Sequence, residues 1–448
     1  MRTSANTRAH VRGMAATAAV SLAVLSMGLS RAASAADPVI FSFATVGDSR
    51  QDPAAPDPTT LLPNNTGTLL PQDALWLQNS KAATRILRTI QSEKPNLLFF
   101  NGDMIYGYGR AAIPSSWSTT PPATIAAVTG SDLVQHYTQY AYWRGMIANL
   151  FEMGTYVVPV PGNHETQCSE SVAGNGLLSS SNPNGCASGK HAYVENEQAF
   201  VANMGDLITD LAANQRFTTV SGVTASNVTG LTQATAPQQS TNNGAITTNQ
   251  AELTYSFDIA TSLGNLHFAV VNTDPSGADG TAPADWLAQD FAAARSKGAV
   301  KFFVFGHKPA FTYNYAAASG GTVAAGGLDA TSPISLRNAF WSVIAQYGAT
   351  YFCGHEHTVN IAQYADPTGV SQATPYQVIV GSGGSPFDDK LVGACPACTE
   401  PLLTAPTDRY YAWALVQVHQ SGAVTLTAYG FNDAFGPTQQ ISTIASLE

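Results

Sequence analysis

The chain has 448 residues, 44% hydrophobic and only 11% charged, with a formal net charge of −10. That length can bury a sizeable core in one large domain or two smaller ones. The acidic balance excludes broad electrostatic binding to nucleic acid but still allows a local cationic pocket.

The first 36 residues read as a signal peptide. Arg2, Arg8 and Arg12 make a basic start, residues 14–29 an apolar stretch, and Ala33-Ser34-Ala35 a small-x-small cleavage site. No later run is apolar and long enough to span a bilayer. Residues 37–448 are therefore expected to be exported, periplasmic or secreted, and to form a single domain. Its five cysteines would then sit where disulfides persist. Cys168 and Cys186 are expected to staple a Ser/Asn/Gly-rich loop, and Cys395 and Cys398 to close a local turn. Cys353 lies in an apolar strand and reads as a buried free thiol.

The first strand is "VIFSFATVGDSR", ending at Gly47-Asp48. A Pro/Asp/Asn-rich insertion occupies 51–73. Ala83, Ile86, Leu87 and Ile90 recur at helical spacing and predict a helix over 79–93. "NLLFFNGDMIYG" is a buried strand running into Gly102-Asp103. Residues 132–152 form an amphipathic helix, and "YVVPVPGNHE" a third strand. Two polar stretches follow, 166–190 and 218–250. The second is too long for an ordinary connection and reads as a surface insertion or lid. "LTYSFDIATSLGNLHFAVVNTD" predicts a hairpin turning near Gly264-Asn265. Residues 284–297 read as a helix. "VKFFVFGHKP" and "ATYFCGHEH" are strands separated by a Gly/Ala loop (316–329) and a helix (333–347). "YQVIVGSGGSPF" and "YYAWALVQVHQSGAVTLTAYG" close the chain with strands. The order predicts an α/β (α+β) fold of mixed sheets flanked by helices.

Five of these strands end in a short polar motif: Gly47-Asp48, Gly102-Asp103 with Tyr106, Gly162-Asn163-His164-Glu165, Gly306-His307, and Gly354-His355-Glu356-His357. Singly each reads as turn chemistry or a surface histidine. Together they place four of the nine histidines and three Asp/Asn residues at equivalent positions. Ligands in open α/β folds collect at strand carboxyl ends, so the motifs are expected to converge. Glycine before each lets backbones approach closely. A dinuclear metal centre explains the residue types, because a carboxylate such as Asp103 can bridge two cations.

The ordered set D, GDxxY, GNHE, GHxP, GHxH resembles the calcineurin-like metallophosphoesterases over about residues 39–385, with purple-acid-phosphatase-like features. The resemblance implies a four-layer sandwich of two mixed β-sheets flanked by helices. It implies one metal subsite of Asp48, Asp103 and His357, and another of Asp103, Asn163, His307 and His355. His164 would protonate the leaving oxygen or stabilise the transition state. Many members carry a histidine ligand two residues after the first aspartate; here that position is Arg50, which cannot ligate. Tyr106, at the position of the purple acid phosphatase tyrosinate, can fill the gap. The ions would then be Fe(III) with divalent Fe, Zn or Mn; otherwise the pair would be Mn or Zn. Arg50, with Asn163 and His164, is expected to bind a phosphate oxygen. His136, His191, His267 and His419 read as packing or face residues.

The expected function is an exported phosphomonoesterase acting by attack of a metal-bound hydroxide. The alternatives are a phosphodiesterase or nucleotidase on the same core and, more remotely, a non-catalytic binding protein. Extended geometry would send His355 and His357 to the same side and Glu356 away.

Overall fold

The computed structural model describes residues 37–50, 71–169, 186–211, 227–235, 239–240, 244–246, 248–313, 326–331, 333–385, 410–432 and 435–447. The stretch read as a signal peptide, the 51–70 part of the first insertion, the turn expected at Cys395–Cys398 and much of the polar stretches lie outside the described residues. No described helix is long and apolar enough to cross a membrane.

Two sheets carry the architecture. The first has six strands in the order 439–444, 424–432, 410–419, 39–46, 97–101, 156–160. Its last three are parallel, while 410–419 and the outer strands run antiparallel. The second has seven strands in the order 359–363, 376–380, 350–353, 299–305, 264–270, 255–261, 228–233. There 264–270, 299–305, 350–353 and 376–380 are mutually parallel, and the flanking strands are antiparallel. Both sheets are mixed, as expected.

The parallel strands are apolar on both faces, and the structure shows why. Along Ala299–Phe305, Phe303 and Phe305 point between the sheets, whereas Phe302 and Val304 point to the helical side. Phe43 of the first sheet meets Phe268, Phe303, Phe305 and Phe352 of the second, ring centroids 5.2–5.7 Å apart. Helix Pro71–Glu93 lies against strand 410–419, and helices Asp132–Glu152 and Val194–Thr209 against strand 156–160. Helices Ala284–Ser296 and Ser335–Tyr347 pack on the other sheet. The result is the four-layer arrangement of helices, sheet, sheet and helices.

Several sequence expectations differ from the structure, and the helix predicted over 79–93 begins at Pro71, inside the stretch assigned to the first insertion. The hairpin turns at Ser262–Leu263, two residues early, because Gly264 (φ +123°) already pairs with Thr261. Part of the 218–250 insertion, Val228–Gln233, is an edge strand of the second sheet. Its polar sequence hides it because most of its residues stay exposed or half-buried. Helix Val194–Thr209 was not anticipated, although Phe200, Met204, Leu207 and Ile208 form its buried stripe. Cys168 and Cys186 are disulfide-bonded, and Cys353 is a buried free thiol.

His267 is more than a packing residue. Its ring lies between Asp258 of the neighbouring strand and Asp290 of helix Ala284–Ser296, at 2.8 Å on each nitrogen. Burial opposes the charged imidazolium, but the two carboxylates outweigh it and raise the pKa. A raised pKa means that the stabilisation is complete below the unfolded value of about 6.5 and is lost as pH rises through the folded one. The melting-temperature advantage of the wild type over His267→Gln should therefore be largest near pH 6 and shrink as pH is raised. A difference that stays constant up to alkaline pH would contradict this assignment.

Candidate metal centre

The carboxyl ends of 39–46, 97–101 and 156–160 face those of 299–305, 350–353 and 376–380 across the sandwich. Hydrogen bonds stitch the two edges together: Gly47 N to Val380 O (2.8 Å), Gly383 N to Gly47 O (2.9 Å) and Ser385 N to Asp48 O (2.8 Å). The "VGSGGS" stretch, residues 380–385, is therefore the seam between the sheets. Close approach accounts for the glycines. A Cβ on Gly102 would stand 2.6 Å from His307 Nδ1, and one on Gly354 would overlap the Asp48 carboxylate. Asp48, Asp103 and His355 all adopt left-handed φ values of 63°, 56° and 70°. Such strain is held in place only where the surroundings over-determine it.

Two groups of donor atoms result. Asp48, Asp103 and His357 are buried, each with a ligand atom within 4.8 Å of the others. His357 Nε2 is 3.6 Å from Asp48 Oδ1. In the second group Asn163 Oδ1 lies 2.8 Å from His307 Nε2 and 2.9 Å from His355 Nδ1. Asp103 Oδ1 is 3.1 Å from His307 Nε2. Asp103 belongs to both groups. Nitrogen and carboxylate donors converging in this way fit Zn, Mn or Fe ions.

His355 and His357 thus face different groups, but extended geometry is not the reason. The strand ends at Cys353, and the chain turns at His355, whose N–H donates to the Asp48 carboxylate (3.0 and 3.1 Å). Glu356 is fully buried, and its Oε1 accepts from Tyr313 N at 2.8 Å.

Other expected site residues flank the donors. Arg50 Nε is 3.3 Å from Asp103 Oδ2, and its Nη2 is 3.1 Å from His357 Nε2. His164 Nε2 is 3.7 Å from Asp103 Oδ2, while its Nδ1 is bonded to the Tyr106 carbonyl oxygen. Tyr106 is buried with its ring 5.7 Å from that of His164. Burial, then Arg50, pushes the His164 pKa well below its usual value. Burial, His307 and Lys308 do the same for His355. His307 moves the other way, to about 9, because Asp103 and Asp48 overcome the cost of burial.

Three further residues support this layer: Glu165, present in the third motif but given no role by the sequence, and Asp274 and Tyr108, which the sequence did not single out. Glu165 accepts four backbone N–H groups, from Asp103 (2.8 Å), Met104 (2.7 Å), Ile105 (3.1 Å) and Gly162 (2.8 Å). It thereby ties the second motif to the third. Asp274, beyond the end of strand 264–270, pairs with Lys308 at 2.5 Å and accepts from Gln167 at 3.0 Å. Tyr108 takes the Asn163 amide on its hydroxyl, 2.6 Å away. The adjacency of Glu165 to His164 was the available signal for the first; the other two contacts are non-local.

A family model described as calcineurin-like phosphoesterase matches residues 76–359. The chain belongs to that family. Metal-dependent hydrolysis of phosphoric esters is the family's chemistry, and the site just described carries a donor set suited to it. Among solved structures, the chain is similar to a purple acid phosphatase from yellow lupin (Lupinus luteus) seeds, with 12% identity and a TM-score of 0.48. That match covers 91% of this chain and 54% of the other, so the chain spans about half the length of the lupin protein. It is also similar to a dimetal phosphatase from Danio rerio (9% identity, TM-score 0.41, 90% of this chain and 100% of that one). A structure of PhoD matches at 11% identity and a TM-score of 0.44, covering 92% and 73%. No curated protein matches the sequence.

Glu165→Ala would leave four buried N–H groups without an acceptor. Unfolding by denaturant should show a loss on the order of 3 kcal/mol or more. A loss below about 1 kcal/mol, within the range of a single ordinary hydrogen bond, would mean that water or another group replaces the carboxylate.

Proposed function

We propose that the protein is an exported phosphomonoesterase with a dinuclear metal centre. The observation that carries this reading is the Asp103 carboxylate, shared by two convergent donor groups. Asp48, Asp103 and His357 would hold one ion, and Asp103, Asn163, His307 and His355 the other. The ions would supply positive charge for the phosphate and lower the pKa of water. Fe(III) with divalent Fe, Zn or Mn is the pair if the Tyr106 phenolate joins the first subsite, and Mn or Zn otherwise.

The chain's own residues do the rest. Arg50 presents its guanidinium beside Asp103 and His357, where a phosphate oxygen can receive it in fork geometry. His164 keeps the proton on Nδ1 for the Tyr106 carbonyl. Nε2 can then give up a proton only from the imidazolium. Burial and Arg50 disfavour that form, while Asp103 favours it. Proton donation to the leaving oxygen therefore belongs to acidic pH, in keeping with an acid-phosphatase-like activity. The basic and apolar start followed by Ala33-Ser34-Ala35 supports export, and the N-terminus of the mature protein should lie close to residue 37.

Metal analysis of the purified protein followed by a panel of mono- and diesters tests the reading. Two ions per chain, monoester hydrolysis and its loss on chelation are expected. Full activity in metal-free protein, or preference for diesters, would count against it. A visible charge-transfer band that Tyr106→Phe abolishes identifies tyrosinate; a colourless active Mn or Zn enzyme excludes it. On the same panel, Arg50→Ala should raise KM or lower kcat by roughly 10-fold or more, the equivalent of one charge-assisted hydrogen bond. Unchanged kinetics would remove Arg50 from the site.

A further inference from the structure

The loop after Asp103 folds back over the third motif. Gly107 and Tyr108 both take left-handed φ values, 55° and 63°. A Cβ on Gly107 would overlap the His164 carbonyl oxygen, so the loop is pressed directly onto the segment carrying Asn163 and His164. Tyr108 is 3% exposed. Its carbonyl accepts from Ser169 N at 3.1 Å, and it bridges to Cys168, whose disulfide to Cys186 anchors the same strand. Its ring lies 3.9 Å from that of His164. Its hydroxyl accepts from Asn163 Nδ2 at 2.6 Å.

That last bond has a consequence for the inner end of the same amide. Asn163 is 3% exposed, and its Oδ1 faces His307 Nε2 and His355 Nδ1. An amide that offers its oxygen to a cation must turn its NH₂ group outward, and a buried NH₂ without an acceptor is costly. The Tyr108 hydroxyl is that acceptor. We propose that Tyr108 is a positioning residue of the second metal subsite: it holds the Asn163 amide with its oxygen turned inward and so sets the affinity for that ion. The inference rests on the proposed role of Asn163 as a ligand. The polar partner behind a metal ligand is commonly worth about 10–100-fold in affinity.

The test is a double-mutant cycle on metal affinity in the full mature chain. Wild type, Tyr108→Phe, Asn163→Ala and the double variant are stripped of metal. Their Zn(II) and Mn(II) dissociation constants are then measured by equilibrium dialysis. Phenylalanine keeps the ring against His164 and removes only the hydroxyl, and the melting temperature of each metal-free variant checks that it is folded. Tyr108→Phe should weaken one of the two ions about 10-fold or more. In the Asn163→Ala background the same change should have almost no effect, because its target is gone. Unaltered affinity in Tyr108→Phe overturns the inference. So does an equal loss in both backgrounds, which would mean that the hydroxyl acts on the loop rather than on the amide. If Asn163→Ala itself leaves both ions bound as tightly as before, the ligand set is wrong and the inference falls with it. If Asn163→Ala weakens an ion and Tyr108→Phe does not, only the inference falls.

Discussion

The Asp103 carboxylate is where the two sheets meet. A buried carboxylate is costly unless charged or hydrogen-bonding partners replace water. Here they come from both halves of the molecule. Oδ1 receives His164 N from the first sheet's edge (3.1 Å) and faces His307 Nε2 from the second (3.1 Å). Oδ2 faces the Arg50 guanidinium (3.3 Å). Burial opposes ionisation, but His164, His307 and Arg50 hold the Asp103 pKa well below the usual carboxylate value. Closing the sandwich and assembling the site are therefore one event. A separated pair of sheets would leave this charge without half of its partners.

Asp48 shows the other side of the same constraint. It is fully buried, and burial, reinforced by the charge of Asp103, pushes its pKa well above the usual value. Two carboxylates this close cannot both be charged cheaply without cations around them. A cation held by Asp48, Asp103 and His357 would reverse that balance and favour ionisation of both. The strained φ values at Asp48, Asp103 and His355 fit this picture. Each marks a point where the chain bends out of its strand to bring a donor inward, and the glycine before it makes room for the facing edge.

The strand-end motifs were legible because each couples a glycine to a residue type that is rare in that position, and because the buried strands before them are unmistakably apolar. The fold class follows from the same strands. The supporting layer was not legible, for a physical reason. Tyr108 and Asp274 act through hydrogen bonds to residues brought near only by the fold, and nothing in their local sequence separates them from ordinary loop residues. Glu165 sits in the third motif, but its acceptor role appears only when the fold brings the second motif to it. Strand Val228–Gln233 stayed hidden because an edge strand in a polar insertion needs little apolar patterning. The turn at His355 was missed for a related reason: a left-handed φ at a histidine is imposed by Asp48, a residue far away in sequence, rather than by local propensity.

The two donor groups are not equivalent, and the asymmetry gives the site a direction. On the Asn163–His307–His355 side His307 has no exposure, its Nδ1 is held by Asn101 O at 2.7 Å and Tyr108 backs Asn163, while His355 is only part-buried. The Asp48–His357 side borders Arg50, whose side chain keeps 12% exposure. Two of the three groups expected to meet a phosphate ester, Arg50 and His164, lie on the Oδ2 side of Asp103. An ester approaching there would meet a cation and an imidazole. Arg50, where the chain departs from the family pattern, borders that same side and brings its guanidinium to Asp103 and His357.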